Sequence, residues 1–280
     1  MDFRDAIGLG VAGNFAGHLE QAGEAADFVN VAVKDAGAPK GLFPFYVPGA
    51  SDHFLGVYPV SSERLQLAGP GESLQIEPEV ALDCDVEAEG DVIRAVRPRA
   101  FAAHDDCSIR REGASKISEK KNWGACTKGT SDHLIDIDRF DAGGVLDRHR
   151  IASYLVRDGE VHAYGQDSSV ASYSYFHERL LDWIVEKLNG QKDEGPLEDV
   201  GALWREAGRP RRALISIGAT RYTELGERTY LEAGDRAVVV VYDGERFDEA
   251  AIRSELGSGG LRSGEGLSML DQLVVPAGEA

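Results

Sequence analysis

The sequence predicts a β-rich α+β domain, and three observations carry that expectation. Short runs of apolar and polar residues recur along the chain, Gly and Pro punctuate the gaps between them, and one long segment has helical spacing. Alternating βαβ units are therefore not expected, and no internal repeat is evident.

Residues 6–33 open with a short apolar stretch, break into glycines, and then give a helical-looking segment from about Asn14 to Asp27. From Gly37 to Gly71 the chain is punctuated by Pro48, Gly49, Pro59, Gly69 and Pro70, which reads as loops joining short strands. Leu74 to Glu87 sets Ile76, Val80 and Leu82 among acids in a strand pattern, and a second strand is expected from about Val92 to Ala103. Within Ala152 to Val161, Asp158-Gly159 marks a hairpin turn. Phe176 to Leu188 places Leu180, Leu181, Ile184, Val185 and Leu188 at helical spacing, and Asn189-Gly190 is a stop signal. Residues 191–200 read as an exposed loop. Strands are expected at Ala213 to Ile217 and Arg236 to Tyr242. The Gly/Ser-rich stretch 257–266 is expected to be flexible, with Leu267 to Val275 docking on the body.

At 280 residues the chain fits one large domain, or a main domain with a small appendage. Its formal net charge of −18 argues against sequence-independent binding to nucleic acid or to anionic membranes. No apolar run of about 18 residues indicates a membrane span, and the N-terminus lacks a signal pattern, so the expected compartment is cytoplasmic. Three cysteines, Cys84, Cys107 and Cys126, are too few for a disulfide scaffold and read as reduced thiols.

Glu77-Pro78-Glu79 is the most informative local feature. Residues i and i+2 of a strand face the same way, so both carboxylates can aim at one point, where they repel unless a cation lies between them. Asp106, at the end of the neighbouring strand, would complete a three-oxygen face for a hard divalent metal, with Arg110 and Lys121 supplying positive charge for an anionic substrate.

At these positions the sequence resembles the fumarylacetoacetate hydrolase superfamily. Glu77-Pro78-Glu79-Val80-Ala81-Leu82 is similar to its Glu-x-Glu-Leu-Ala segment, Asp106-Cys107-Ser108-Ile109-Arg110 to its Asn-Asp-x-Ser-Ala-Arg-Asp motif, and Lys121-Asn122-Trp123-Gly124 to its Lys-Ser-Phe-Asp/Gly motif. Upstream, Gly13-Asn14-Phe15-Ala16-Gly17-His18 resembles a Gly-x-Asn-Tyr-x-x-His stretch. Downstream, Leu214 to Gly218 and Tyr230 to Asp235 resemble a Leu-x-Thr-Gly-Thr-Pro strand end and a Leu-x-Pro-Gly-Asp strand entry. The resemblance runs in order over most of the chain. It implies a rolled, partly closed mixed sheet, with an N-terminal segment (1–70) packing on a catalytic domain (71–280). It implies that Glu77, Glu79 and Asp106 ligate Mg²⁺, Mn²⁺ or Ca²⁺, that Lys121 lies beside the substrate's negative charge, that Arg110 orients the site, and that His18 serves as base. The activity implied is on a small anionic 2-oxo acid or acylpyruvate, C–C bond hydrolysis first, then decarboxylation, hydration or isomerisation, by a homodimer. Departures fall on the substrate side: Gln21 where relatives using the histidine carry Glu, Val47 where Lys is common, Ala219 in place of Thr, and Arg111 for the second Asp.

Two rival readings remain open. The departures motivate a metal- or ligand-binding protein that keeps the fold without turnover. Gly8-Leu9-Gly10-Val11-Ala12-Gly13 formally matches the dinucleotide fingerprint, with Asp27 and Asp35 as candidate ribose acids, although residues beyond Asp35 do not continue as βαβα. The cysteines and His104 lack the close pairs of a structural zinc site.

Overall fold

The structure, a computed structural model, describes residues 2–28, 31, 33–35, 37–111 and 113–279; the side chains at 26 and 27 fall outside this description. Its strands, in chain order, are β1 (Ile7–Ala12), β2 (Gly41–Tyr46), β3 (Val60–Ser61), β4 (Arg64–Gln66) and β5 (Leu74–Gln75). There follow β6 (Pro78–Glu89), β7 (Val92–Asp105), β8 (Ser108–Ile109), β9 (Lys128–Thr130) and β10 (Ile135–Asp136). The last five are β11 (His149–Arg157), β12 (Glu160–Ser169), β13 (Arg212–Ser216), β14 (Arg236–Asp243) and β15 (Leu267–Val275). Among the described residues five α-helices accompany them: α1 (His18–Gln21), α2 (His177–Gly190), α3 (Val200–Glu206), α4 (Glu224–Arg228) and α5 (Glu249–Gly257).

One mixed sheet runs β2-β1-β13-β6-β7-β9-β3, with β10 also on β7; a second runs β12-β11-β14-β15-β4. β14 and β15 pack on β7, and β11 on β6, so the largest apolar cluster lies between the sheets. It includes Val80, Leu82 and Phe101 from one side and Ile151, Leu155, Val239 and Val241 from the other. This is the strand-rich, curled α+β architecture expected from the sequence.

The backbone of the fold is the hairpin of β6 and β7. Its register opposes Leu82 to Phe101, Glu79 to His104 and Pro78 to Asp105, with irregularities at Asp83/Cys84 and Glu87/Ala88. The hairpin at Asp158-Gly159 forms as expected: both residues have left-handed φ (54° and 81°), which a two-residue turn of this type requires, and Arg157 pairs with Glu160. α2 buries Leu180, Trp183, Ile184 and Leu188 against β7, each such side chain contributing about 1.5–3 kcal/mol. Asn189, expected as part of its stop, donates to Ile93 O and accepts from Ile93 N, tying the helix end to β7.

Three local expectations need correction. The helix from Asn14 to Asp27 is one α-turn, His18–Gln21, and a 3-10 turn, Ala25–Phe28, because Gly17 (φ 83°) and Gly23 (φ 73°) hold left-handed backbone that ends helices. The strand from Leu74 to Glu87 is broken at Ile76–Glu77, with β5 pairing β8 and β6 pairing β7. Within 191–200, Gln191 and Glu198 are buried rather than exposed; the Gln191 amide donates to Leu42 O and Glu198 O.

Candidate metal centre and its surroundings

The hairpin register assembles the carboxylates. Asp105 faces Pro78 at the open end of β6 and β7, and two bonds lock the residues beyond: Glu77 N–H donates to Asp105 Oδ1 at 2.8 Å, and Asp106 N–H donates to Glu77 O at 3.0 Å. Glu77 immediately precedes β6, Glu79 is its second residue, and Asp106 immediately follows β7, so the hairpin's open end brings the three carboxylates together. One oxygen from each of Glu77, Glu79 and Asp106 lies within 4.8 Å of the others, and all three residues are buried.

Buried carboxylates need counter-charge. Lys121, just after the 3-10 turn Ile117–Lys120, sets its Nζ 2.5 Å from Glu77 Oε2 and 2.6 Å from Asp106 Oδ2. Lys128, at the start of β9 and fully buried, lies 3.3 Å from Asp106 Oδ1, and its ammonium also donates to Asp106 O and Cys107 O. Arg110 follows β8 and donates to Glu77 Oε1 at 2.5 Å, Glu24 Oε1 at 2.7 Å, Gln75 Oε1 at 2.7 Å and the Tyr222 hydroxyl at 2.7 Å. Lys120 reaches Glu24 at 3.1 Å. Glu79 has no ion pair among the described residues and takes the Gly218 N–H at 2.7 Å. Gly218 sits just beyond β13 with φ 117°, and an added Cβ would lie 3.0 Å from Asn14 Cβ. Asn14 in turn donates to Ile217 O and Tyr175 O, so the Gly13-Asn14 stretch staples β1 to the end of β13.

These environments separate the protonation states. Burial pushes Glu77 up, but Lys121 and Arg110 more than offset it and hold the carboxyl well below its usual range. Burial, then the charge of Asp106, pushes Glu79 well above its usual range. Burial likewise drives Asp105 up to about 7 and His104 down to about 3. Glu79 is an acid without a cation beside two that have one, and three carboxylate oxygens within 4.8 Å are donor chemistry suited to a hard divalent metal. The donor set therefore fits.

His18, at the start of α1, is buried, and neither ring nitrogen has a hydrogen-bond partner among the described residues. Burial lowers its pKa, so the ring is neutral near pH 7. It packs on the Tyr222 ring at 5.2 Å between centroids and feels the charge of Glu77. Gln21, three residues on, is engaged elsewhere: its amide bonds Tyr222 O, Tyr222 N and Glu227 Oε1.

Thus Glu77, Glu79, Asp106, Arg110 and Lys121 come together, with His18 nearby. Sequence reasoning missed Glu24, Gln75, Lys128 and Tyr222, which arrive from outside the quoted motifs; a lysine destined for full burial carries no local signal.

The glycine fingerprint lacks its structural context. Gly8 and Gly10 lie inside β1, where an added Cβ would come within 2.3 Å of the Phe45 ring and 2.1 Å of the Phe43 ring on β2. They are glycines because aromatic rings cross them, and no strand-turn-helix phosphate loop forms. Asp35 accepts from the Tyr175 hydroxyl and from Arg179; the side chain of Asp27 lies outside the described residues. Cys84 and Cys107 are buried, with thiol pKa values pushed well up by burial, and belong to the core. Among the described residues no helix is long and apolar enough to cross a membrane.

A model of the "Family of unknown function (DUF5718)" matches residues 24–274. No curated protein matches the chain. Solved structures share the fold at low identity. Cg1458 with inhibitor matches at TM-score 0.55 and 17% identity, over 97% of this chain and 77% of that one. 2-Keto-3-deoxy-D-arabinonate dehydratase complexed with magnesium and 2,5-dioxopentanoate matches at TM-score 0.54 and 15% identity, over 97% and 72%. 5-Carboxymethyl-2-hydroxymuconate delta-isomerase from Mycobacterium smegmatis matches at TM-score 0.52 and 16% identity, over 98% and 80%.

Proposed function

Since the chain belongs to the family of unknown function DUF5718, its reaction has to be read from its site, and we propose a divalent-metal-dependent enzyme of the fumarylacetoacetate hydrolase superfamily acting on a small 2-oxo acid. The observation that carries this reading is the buried triad Glu77, Glu79 and Asp106 within 4.8 Å. It is supported by neighbours of the same fold, one of them a dehydratase complexed with magnesium and a dioxo acid. The triad would hold Mg²⁺ or Mn²⁺, which when bound supplies Lewis-acid polarisation of a carbonyl.

The remaining roles fall to the chain's own groups. Lys121, held cationic by Asp106 and Glu77 against the effect of burial, offsets negative charge developing on the substrate. Arg110 fixes Glu77 through a four-partner guanidinium and so sets the direction of that carboxylate. His18, neutral and with both ring nitrogens free of protein partners among the described residues, takes and returns a proton next to the substrate carbonyl. These parts serve any reaction that builds negative charge on a 2-oxo acid: C–C hydrolysis, decarboxylation, dehydration or isomerisation. C–C hydrolysis needs, in addition, a water oriented at His18; Gln21 is turned away, so elimination or isomerisation places fewer demands on the residues present. We carry a homodimer and a cytoplasmic setting as part of the same proposal.

The test pairs stability with turnover. Mg²⁺ or Mn²⁺ should raise the melting temperature of the wild type and leave Glu79→Ala unmoved; equal stabilisation of both would remove the metal site. Acylpyruvates, oxaloacetate and 2-keto-3-deoxy sugar acids with metal should then yield a substrate whose turnover falls about 10²–10⁴-fold in His18→Ala. Metal binding with no turnover across that panel would favour the second reading, a ligand-binding protein, which Gln21 and Ala219 support.

A further inference from the structure

The triad is surrounded by buried cations. Three carboxylates, Glu77, Glu79 and Asp106, share the centre with three cations that touch two of them: Arg110 on Glu77, Lys121 on Glu77 and Asp106, and Lys128 on Asp106. Among the described residues the next pair out, Glu24 and Lys120, adds one charge of each sign. All of these side chains are about nine-tenths buried or more. With all three carboxylates ionised, as ligation of a metal requires, these groups are formally neutral before the metal's own charge is added. A divalent ion added alone would leave two uncompensated positive charges in a site shielded from water, which is costly. A ligand carrying two negative charges would cancel them.

We propose that the divalent ion and a dianionic ligand enter this centre as a coupled pair, and that Lys128 is the positioning residue that enforces the coupling. The proposal rests on the metal-site reading above and adds to it the charge of the substrate bound. Lys128 is suited to this role by its place. It is held by the carbonyls of Asp106 and Cys107 and lies against Oδ1 of Asp106, while Lys121 takes Oδ2. Fully buried and tied to two carbonyls, this side chain stays in place when a second cation arrives. Lys121, by contrast, bridges the carboxylates of Glu77 and Asp106, and a ligand's negative charge can take over as its partner. Because Lys128 stays, each divalent ion needs an anion to accompany it. Coupling of this kind is reciprocal: whatever factor the anion adds to metal affinity, the metal adds to anion affinity.

Mn²⁺ binding to the full chain, read from the loss of the free-ion electron paramagnetic resonance signal, tests this without turnover. Oxalate serves as the dianion probe and acetate as the monoanion, with the solution complex of Mn²⁺ and oxalate subtracted. Saturating oxalate should tighten Mn²⁺ by about tenfold or more, and acetate by less than about twofold. Lys128→Met should bind Mn²⁺ at least about tenfold tighter than wild type in the absence of oxalate, and lose most of the oxalate effect. Equal wild-type affinity with and without oxalate overturns the coupling while leaving the metal site standing. No Mn²⁺ binding under either condition overturns the metal site and the coupling with it. If Lys128→Met does not fold, the wild-type comparison still decides the coupling, and Lys120→Met, which removes a cation from the outer pair, should tighten Mn²⁺ by a smaller factor; no change there would overturn the charge-balance argument.

Discussion

With its ammonium 2.5 Å from Glu77 and 2.6 Å from Asp106, Lys121 compensates two buried acids at once. Lys121→Met should cost about 3–5 kcal/mol, because it strands both charges instead of deleting a pair; urea denaturation measures this, and millimolar Mg²⁺ with oxalate should recover part of the loss. Glu198 supplies a pH dependence away from the metal centre. Burial raises its carboxyl from 4.5 to about 7, opposed by the hydrogen bond from Ser118 and the charge of Lys116. The folded chain holds this proton more tightly than the unfolded one, so the stabilisation is complete below about pH 4.5 and is lost as pH rises to about 7. The size is about 3 kcal/mol, and Glu198→Gln should remove that fall from the stability profile measured across this window. Of the individual residues, Glu77, Glu79 and Asp106 were legible because they flank the open end of one hairpin, close in sequence. Glu24, Lys128 and Tyr222 were not, since their positions depend on how distant segments close over the hairpin.

Strand β1 shows why some elements escape a reading by pattern. Gly8 and Gly10 lower strand propensity and imitate a nucleotide loop, yet they are required where the Phe45 and Phe43 rings cross β1. Gly10→Ala should destabilise the protein by about 1–3 kcal/mol through overpacking, and Phe43→Leu in the same chain should return part of it; thermal or chemical denaturation of the double-mutant cycle would show the coupling. The expected helix at Asn14 to Asp27 failed for a related reason. Its apolar spacing is interrupted by Gly17 and Gly23, whose left-handed backbone permits only short turns. α2 and the Asp158-Gly159 hairpin were legible because each carries its own start, stop or turn chemistry within the segment.

Across the whole molecule, the strand-rich class was legible from composition and punctuation, while the order of strands in the two sheets was not, because no local pattern specifies which strands pair at long range. β6, β7 and β14 lie at the middle of the sheets and line the shared core. Their amides should be the slowest to exchange in hydrogen–deuterium experiments, and those of residues 18–28 should be among the fastest, since that segment holds only single turns. The long hairpin also carries a consequence for how this chain can vary in length. It acts as a ruler read from its tip at Gly90-Asp91 to its open end at Pro78 and Asp105. Residues inserted at the tip would loop out and leave the far end untouched. Removing one residue from either arm would slide Asp106 past Glu77 and turn every side chain beyond the gap to the opposite face. Length changes should therefore be tolerated at the tip and excluded from the arms, however conservative the residue deleted.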